Sequence, residues 1–320
     1  MSGGWAKQLV VTVSVEPDDP AAVGRTGSYR SPDGLRRFDE LCRRYAVRPT
    51  YLLTYSAACE AECVALLRGR GAEAEVGAHL HPEEVPPIAE HERDNHTLRP
   101  SEIEPQRLRA KLASLIERVA EAAGRRPTSY RAGFFDLTPE QVAAIAELGI
   151  EADSSFGPLE KTRGGYSRLR APMRPYMLDR ADLCRPGRSG VVEIPMTSVF
   201  RRRFPRALFA AYFASPWRVR EALRAAGIAE LLRFRPAEAS AEDLLAVAER
   251  TERLGVPAVM TIHSNELTAG TSRPVPTEAA LAAYFDRLER LFAATRERGW
   301  ASRTLTDIAR DVRSALETPR

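Results

Sequence analysis

Residues 75–84 read EVGAHLHPEE, an apolar run that ends in two histidines one residue apart. In an extended strand, residues i and i+2 point to one face, so His79 and His81 can turn both imidazoles toward one point at a strand end. That is metal-ligand geometry. A packed ring beside a solvated one satisfies the same spacing, so the weight of the pair depends on its surroundings.

Upstream, QLVVTVSVEPDD at 8–19 is another apolar run, ending in Glu16, Asp18 and Asp19. Downstream, AVMTIHSNEL at 258–267 is a third, ending in His263, Ser264, Asn265 and Glu266. A carboxylate from Glu16, Asp18 or Asp19 would complete a His/His/carboxylate set, the donor type of an open divalent-metal site with room for water. In SYRAGFFD at 129–136, Arg131 follows a short strand and Gly133 permits a tight turn. An arginine there either holds a carboxylate or oxyanion by charge-assisted hydrogen bonds or simply pairs with a helix acid. His or acid at three strand ends is more than a structural protein needs.

Between these motifs, short apolar or β-branched runs alternate with helical periods. Strands are expected at 9–15, 50–54, 75–79, 129–132, 191–195 and 258–263, with weaker ones near Ile150 and Trp300. Helices are expected at 34–45, 57–68, 105–123, 139–148, 239–254, 277–298 and 304–316. Such alternation implies an α/β fold, a parallel sheet covered by helices, with functional residues at the C-terminal ends of its strands. The Arg-, Gly- and Pro-rich stretch 158–186 reads as a long loop or lid. The basic, aromatic stretch from about 200 to 235 reads as an amphipathic helical insertion, with Leu208, Tyr212 and Phe213 near helical spacing and arginines on the other face.

In order, the acidic strand end, EVGAHLHP, PTSYRAG, IEADSSF, APMRPY, EIPMT and HSNEL resemble the polysaccharide deacetylase (NodB-homology) family, in its branch with HxHP and a late HSxE motif. The likeness runs from about Leu9 to Leu267. It implies a deformed (β/α) barrel, here a single domain over 1–320 with its core at about 8–312. It also implies a divalent metal, zinc most readily, and metal-assisted hydrolysis of an acyl group. By the resemblance His79 is the first metal histidine, His81 the second, with Glu83 standing where the commoner four-residue spacing would put that ligand. Glu16 then holds the metal, His263 is the late general acid, Arg131 orients the catalytic carboxylate, and Asp153 lies near the site floor. The family's base position is occupied by Ser14, which cannot take a proton at neutral pH as a carboxylate can, so Asp18 or Asp19 is expected to act instead. Phe134 stands where the branch tends to carry a polar residue.

Composition fits this reading. The 320 residues are 44% hydrophobic and 28% charged, with 47 basic against 43 acidic residues and a net charge of +4. These are values of a globular chain and give little reason to expect a polyanionic partner, so neither nucleic acid nor a membrane is anticipated. The run at 9–15 is too short for a signal peptide or a span, and Cys42, Cys59, Cys63 and Cys184 read as free thiols, so a cytoplasmic location is expected. The function expected is deacylation of an N-acylated amino sugar or related small metabolite. The rivals are a non-catalytic carbohydrate-binding or regulatory protein, motivated by Ser14, and a cyclic-amide hydrolase. Oligomeric state is not written in the sequence.

Overall fold

The computed structural model describes residues 4–23, 28–30, 32–92, 95–159, 171–202 and 208–317. Its strands are β1 (Gln8–Val15), β2 (Thr50–Leu53), β3 (Glu75–Leu80), β4 (Ser129–Ala132), β5 (Ala152–Asp153), β6 (Tyr176–Met177), β7 (Val192–Glu193), β8 (Ser198–Phe200), β9 (Leu231–Arg233), β10 (Ala258–His263) and β11 (Ala301–Arg303). The main sheet runs β10-β1-β2-β3-β4-β5-β7-β6, and β6 lies antiparallel on β7. The other pairings are parallel, as the alternation of strands and helices requires.

β1 organises the sheet. One edge pairs with β10 from Leu9 to Ser14, while the opposite edge takes β11 at Gln8–Val10 and β2 at Thr12–Val15. β11 is therefore a wedge between β1 and β2 at the foot of the sheet. The sheet curls, and the chain leaving β7 bridges its opening. Ile194 N–H donates to the Asp153 carbonyl at 2.8 Å, and three residues on, Thr197 N–H donates to the Val259 carbonyl at 3.0 Å. The Thr197 hydroxyl accepts the Val259 N–H at 2.9 Å, so a single segment links β5 to the free edge of β10.

Close strand contact is set by Gly77, where a Cβ would lie 2.2 Å from Ser129 Oγ. Long helices at Pro32–Arg44, Pro105–Ala123, Ala241–Leu254, Glu278–Glu297 and Leu305–Glu317 cover the outside. Their apolar stripes, such as Leu112, Leu115, Ile116 and Val119, are buried in the core. Thr138, Ser240 and Thr277 cap helix starts by accepting backbone N–H groups, as their sequence positions suggest. Among the described residues no helix is long and apolar enough to cross a membrane. The four cysteines are free thiols.

Two stretches differ from the sequence expectation. Residues 160–170 of the expected lid lie outside the described residues, and the rest of it contains β6 and a bridge between Leu178 and Pro186. The 200–235 stretch does hold helices Phe209–Ala214 and Trp217–Ala225, but an antiparallel pair, β8 with β9, brackets them. Strands of three residues carry no readable periodicity. Phe200 packs on Phe209 and Tyr212 at ring separations of 5.1 and 5.8 Å, which holds the unit together.

A buried ion pair fixes the segment that follows β3. Lys111 Nζ, fully buried on helix Pro105–Ala123, donates to the carbonyls of Pro82 (2.9 Å) and Val85 (2.7 Å) and pairs with Glu92 at 3.0 Å. Glu92 also accepts Ala89 N–H and pairs with Arg107 at 3.0 Å. Burial alone would raise the Glu92 carboxyl, but these donors overcome it and hold it at about 2, below its ordinary 4.5. Replacing Lys111 with Met leaves a buried carboxylate without its ammonium, and should lower stability by about 3–5 kcal/mol, read as a shifted denaturant midpoint at unchanged slope. Because Glu92 is depressed in the fold, its contribution is present above about pH 4.5 and is lost as the pH falls toward 2. Glu92→Gln should therefore flatten the loss of stability across that window.

Candidate metal centre and its histidines

β10 and β1 are neighbours and β3 lies beyond β2, and the last residues of the three strands converge across the curl of the sheet. The hydroxyl of Ser264 pins the end of β1, accepting Glu16 N–H at 3.1 Å and donating to the Glu16 carbonyl at 3.0 Å. Asn265 Nδ2 donates to the Pro17 carbonyl at 3.1 Å, so the SNE turn after β10 clamps the VEP turn after β1. The Glu16 carboxylate then faces the HxH pair: its Oε2 is 3.6 Å from Nε2 of His79 and 3.6 Å from Nε2 of His81. Ligand atoms of these three residues all lie within 4.8 Å of one another.

Each imidazole is oriented from behind. His79 Nδ1 is 3.1 Å from the Arg131 carbonyl, which can only accept, so the proton is on Nδ1 and the Nε2 lone pair is free. His81 Nδ1 is 3.5 Å from Glu83, and the two histidine rings meet edge to face at 4.8 Å. Burial holds His79 down at about 4, so that ring is neutral, as a ligand must be. Burial also acts against a charged His81, but Glu83, Glu16 and Glu84 outweigh it and raise the ring to about 9. Burial would raise Glu16, yet the surrounding histidines, His263 first, hold it at about 2. Two imidazole nitrogens and an ionised carboxylate aimed at one point fit a divalent cation, which would displace the His81 proton on binding.

His263 approaches from the other side, its Nε2 4.0 Å from Glu16 Oε1. Its Nδ1 lies 3.3 Å from Glu266 Oε1 and 3.2 Å from Arg235 Nη2, an acceptor and a donor on one nitrogen. The ring therefore has a partner in either tautomer. Tyr284 OH donates to Glu266 at 2.9 Å and fixes that carboxylate. Arg235 and Tyr284 were not legible in the sequence: one sits among many arginines, the other within a helix pattern.

Arg131 is fully buried on β4. Its guanidinium donates to the Ser154 carbonyl (2.8 Å), Thr12 Oγ1 (2.9 Å) and Ser14 Oγ (3.2 Å). Burial lowers it to about 10, while Asp153, Glu193 and Glu16 favour its charge. Asp153 itself accepts from Ser155 N–H and Oγ at 3.0 and 2.8 Å. Asp18 and Asp19 do not join the group. Asp18 accepts Arg30 N–H at 3.1 Å and pairs with that guanidinium at 3.6 Å, and Asp19 pairs with Arg273 at 3.2 Å. Glu83 lies on the far nitrogen of His81, outside the Glu16–His79–His81 group. His91 and His96 are exposed on the loop after β3.

Comparison with solved structures places this architecture. A candidate polysaccharide deacetylase from Mycobacterium smegmatis superposes with a TM-score of 0.61 at 21% identity, over 100% of this chain and 95% of its own. A candidate glycoside hydrolase/deacetylase from Parabacteroides distasonis gives 0.64 at 14% identity, over 99% of this chain and 73% of its own. A Puue allantoinase gives 0.54 at 14% identity, over 99% and 93%. No family model matches the sequence, and no curated protein does. The resemblance read from the motifs is thus borne out in the fold, which is that of the polysaccharide deacetylase barrel.

The donor geometry makes a direct expectation for metal content. After loading with a divalent metal and dialysis, His79→Ala, His81→Ala and Glu16→Ala should each hold less metal than the wild type in elemental analysis, while His263→Ala retains it; full metal in both histidine variants would exclude this centre.

Proposed function

We propose that the chain is a metal-dependent hydrolase that removes an acetyl or other small acyl group from the nitrogen of an amino sugar or related small metabolite. The observation that carries the reading is the convergence of three imidazole Nε2 atoms on one carboxylate, at 3.6, 3.6 and 4.0 Å from Glu16. A divalent metal held by Glu16, His79 and His81 would supply polarisation of the scissile carbonyl and a more acidic water. His263, outside that donor group, serves as the proton carrier. With Nδ1 hydrogen-bonded to Glu266, its Nε2 accepts a proton as water adds to the amide carbon. It then returns that proton to the departing nitrogen as the C–N bond breaks, giving a carboxylic acid and an amine, whose proton exchange leaves a carboxylate and an ammonium at neutral pH. Asp18 and Asp19, expected for this task, are engaged with Arg30 and Arg273, which favours His263 as the acceptor.

The competing reading, a carbohydrate-binding protein without turnover, rests on Ser14, whose hydroxyl meets Arg131 where a carboxylate base would otherwise stand. Acetate release from a panel of N-acetyl amino sugars decides between them. The hydrolase reading expects turnover by the wild type, a loss of about 10²–10⁴-fold in His263→Ala with metal retained, and little change in Ser14→Ala. An inactive wild type that gains hydrolysis on Ser14→Asp would favour the binding protein.

A further inference from the structure

Beside the metal centre stands a residue of the wrong character for a water-filled mouth. Phe134 is 41% exposed, and its ring packs on His81 at 5.3 Å. It reaches that place through an uncommon backbone: Phe134 and Phe135 have φ of +54° and +57°, a left-handed conformation that side-chain-bearing residues seldom adopt in succession. Gly133 allows it, because a Cβ there would lie 2.3 Å from the Leu80 carbonyl, so the turn is pressed onto the end of β3. Local strain of this kind is kept where the surroundings enforce it, and here it sets Phe134 on His81 with 41% of the residue still exposed.

Over the same ring lies the Arg99 guanidinium, its Cζ 6.0 Å from the Phe134 centroid. The backbone around Arg99 is firmly held. Its N–H donates to Glu102 at 2.7 Å, its neighbours Leu98 and Pro100 are buried, and Ser101 N–H donates at 3.0 Å to Asp136, which closes the Phe134 turn. Arg30, Arg235 and Arg273 around the mouth are each paired with a carboxylate. Among the described residues no ion pair engages the Arg99 guanidinium, which lies beside the apolar Phe134 ring.

We propose that Arg99 and Phe134 form a subsite for an anionic substituent, a phosphate or a carboxylate, carried by the substrate one sugar ring away from the acyl group; this rests on the hydrolase reading above. A guanidinium pairs with either anion through parallel N–H donors, and an aromatic face receives the C–H face of a sugar ring. Phe134 sets the ring against His81 and Arg99 fixes the anion, so the substrate enters in one orientation.

The test uses zinc-loaded full-length protein and three probes: N-acetylglucosamine, its 6-phosphate and N-acetylmuramic acid. Calorimetric affinity is measured alongside kcat and KM. An anionic probe should bind about 10–100-fold more tightly than the neutral sugar, the range of a charge-assisted contact. In Arg99→Gln that preference should disappear through KM, and Arg99→Lys should restore part of it, whereas a merely structural role would weaken all three probes alike. Preference for the phosphate or for the carboxylate identifies the source of the anion. Anion-selective binding that vanishes in Arg99→Gln without any hydrolysis would uphold the subsite and defeat the hydrolase. Hydrolysis with no preference for either anion, or a preference untouched by Arg99→Gln, would overturn the subsite alone. Failure to bind any probe would overturn both.

Discussion

A full positive charge at the centre of the barrel sets the terms for everything around it. Moving a guanidinium from water into a packed interior is expensive unless its donors are met and its charge is balanced. Arg131 meets the first condition with oxygens of three residues, Thr12 and Ser14 on β1 and Ser154 at the end of β5. It meets the second with the fields of Asp153, Glu193 and Glu16. β1, β4, β5 and β7 must therefore all be in place for the cation to be tolerable. The same backbone that carries Arg131 offers its carbonyl to His79, so the residue that demands the barrel's closure also selects the tautomer of a metal-site histidine.

The site's polar residues were legible because strand ends confine them. Glu16, His79, His81 and His263 each terminate an apolar run, and a parallel sheet has no choice but to bring such ends together. The long helices were readable for a similar reason, their stripes and caps being local signals. What escaped reading was held by contacts without a local pattern. The strands at 176–177, 198–200 and 231–233 are too short for periodicity, and Arg235 and Tyr284 acquire meaning only from Glu266, a residue distant in sequence. The expectation for Asp18 and Asp19 weighed proximity in sequence to Glu16. Beyond β1 the chain leaves the sheet, and neighbouring arginines take both carboxylates.

The two sides of the centre are built differently. On the β3 side, Lys111 clamps the carbonyls of Pro82 and Val85 around Glu83, so the carboxylate behind His81 is carried on a turn with little freedom. On the β10 side, His263 rests between a carboxylate and a guanidinium that suit different tautomers. Under the proposed function, the fixed lone pair of His79 suits a ligand, and the two Nδ1 partners of His263 suit a ring that gains and loses a proton.

The pairing of β1 with β10 has a consequence for how the chain is made. Leu9 is hydrogen-bonded partner to Ala258, and Ser14 to His263. At about 5–20 residues per second, a ribosome needs roughly 12–50 s after the first strand emerges before its neighbour does. Throughout that interval LVVTVSV, β-branched and uncharged, has one edge without its partner strand, the description of a segment that adheres to other chains. Yield in the cell should thus be governed less by the stability of the finished barrel than by how well its earliest strand is shielded while it waits for its latest partner.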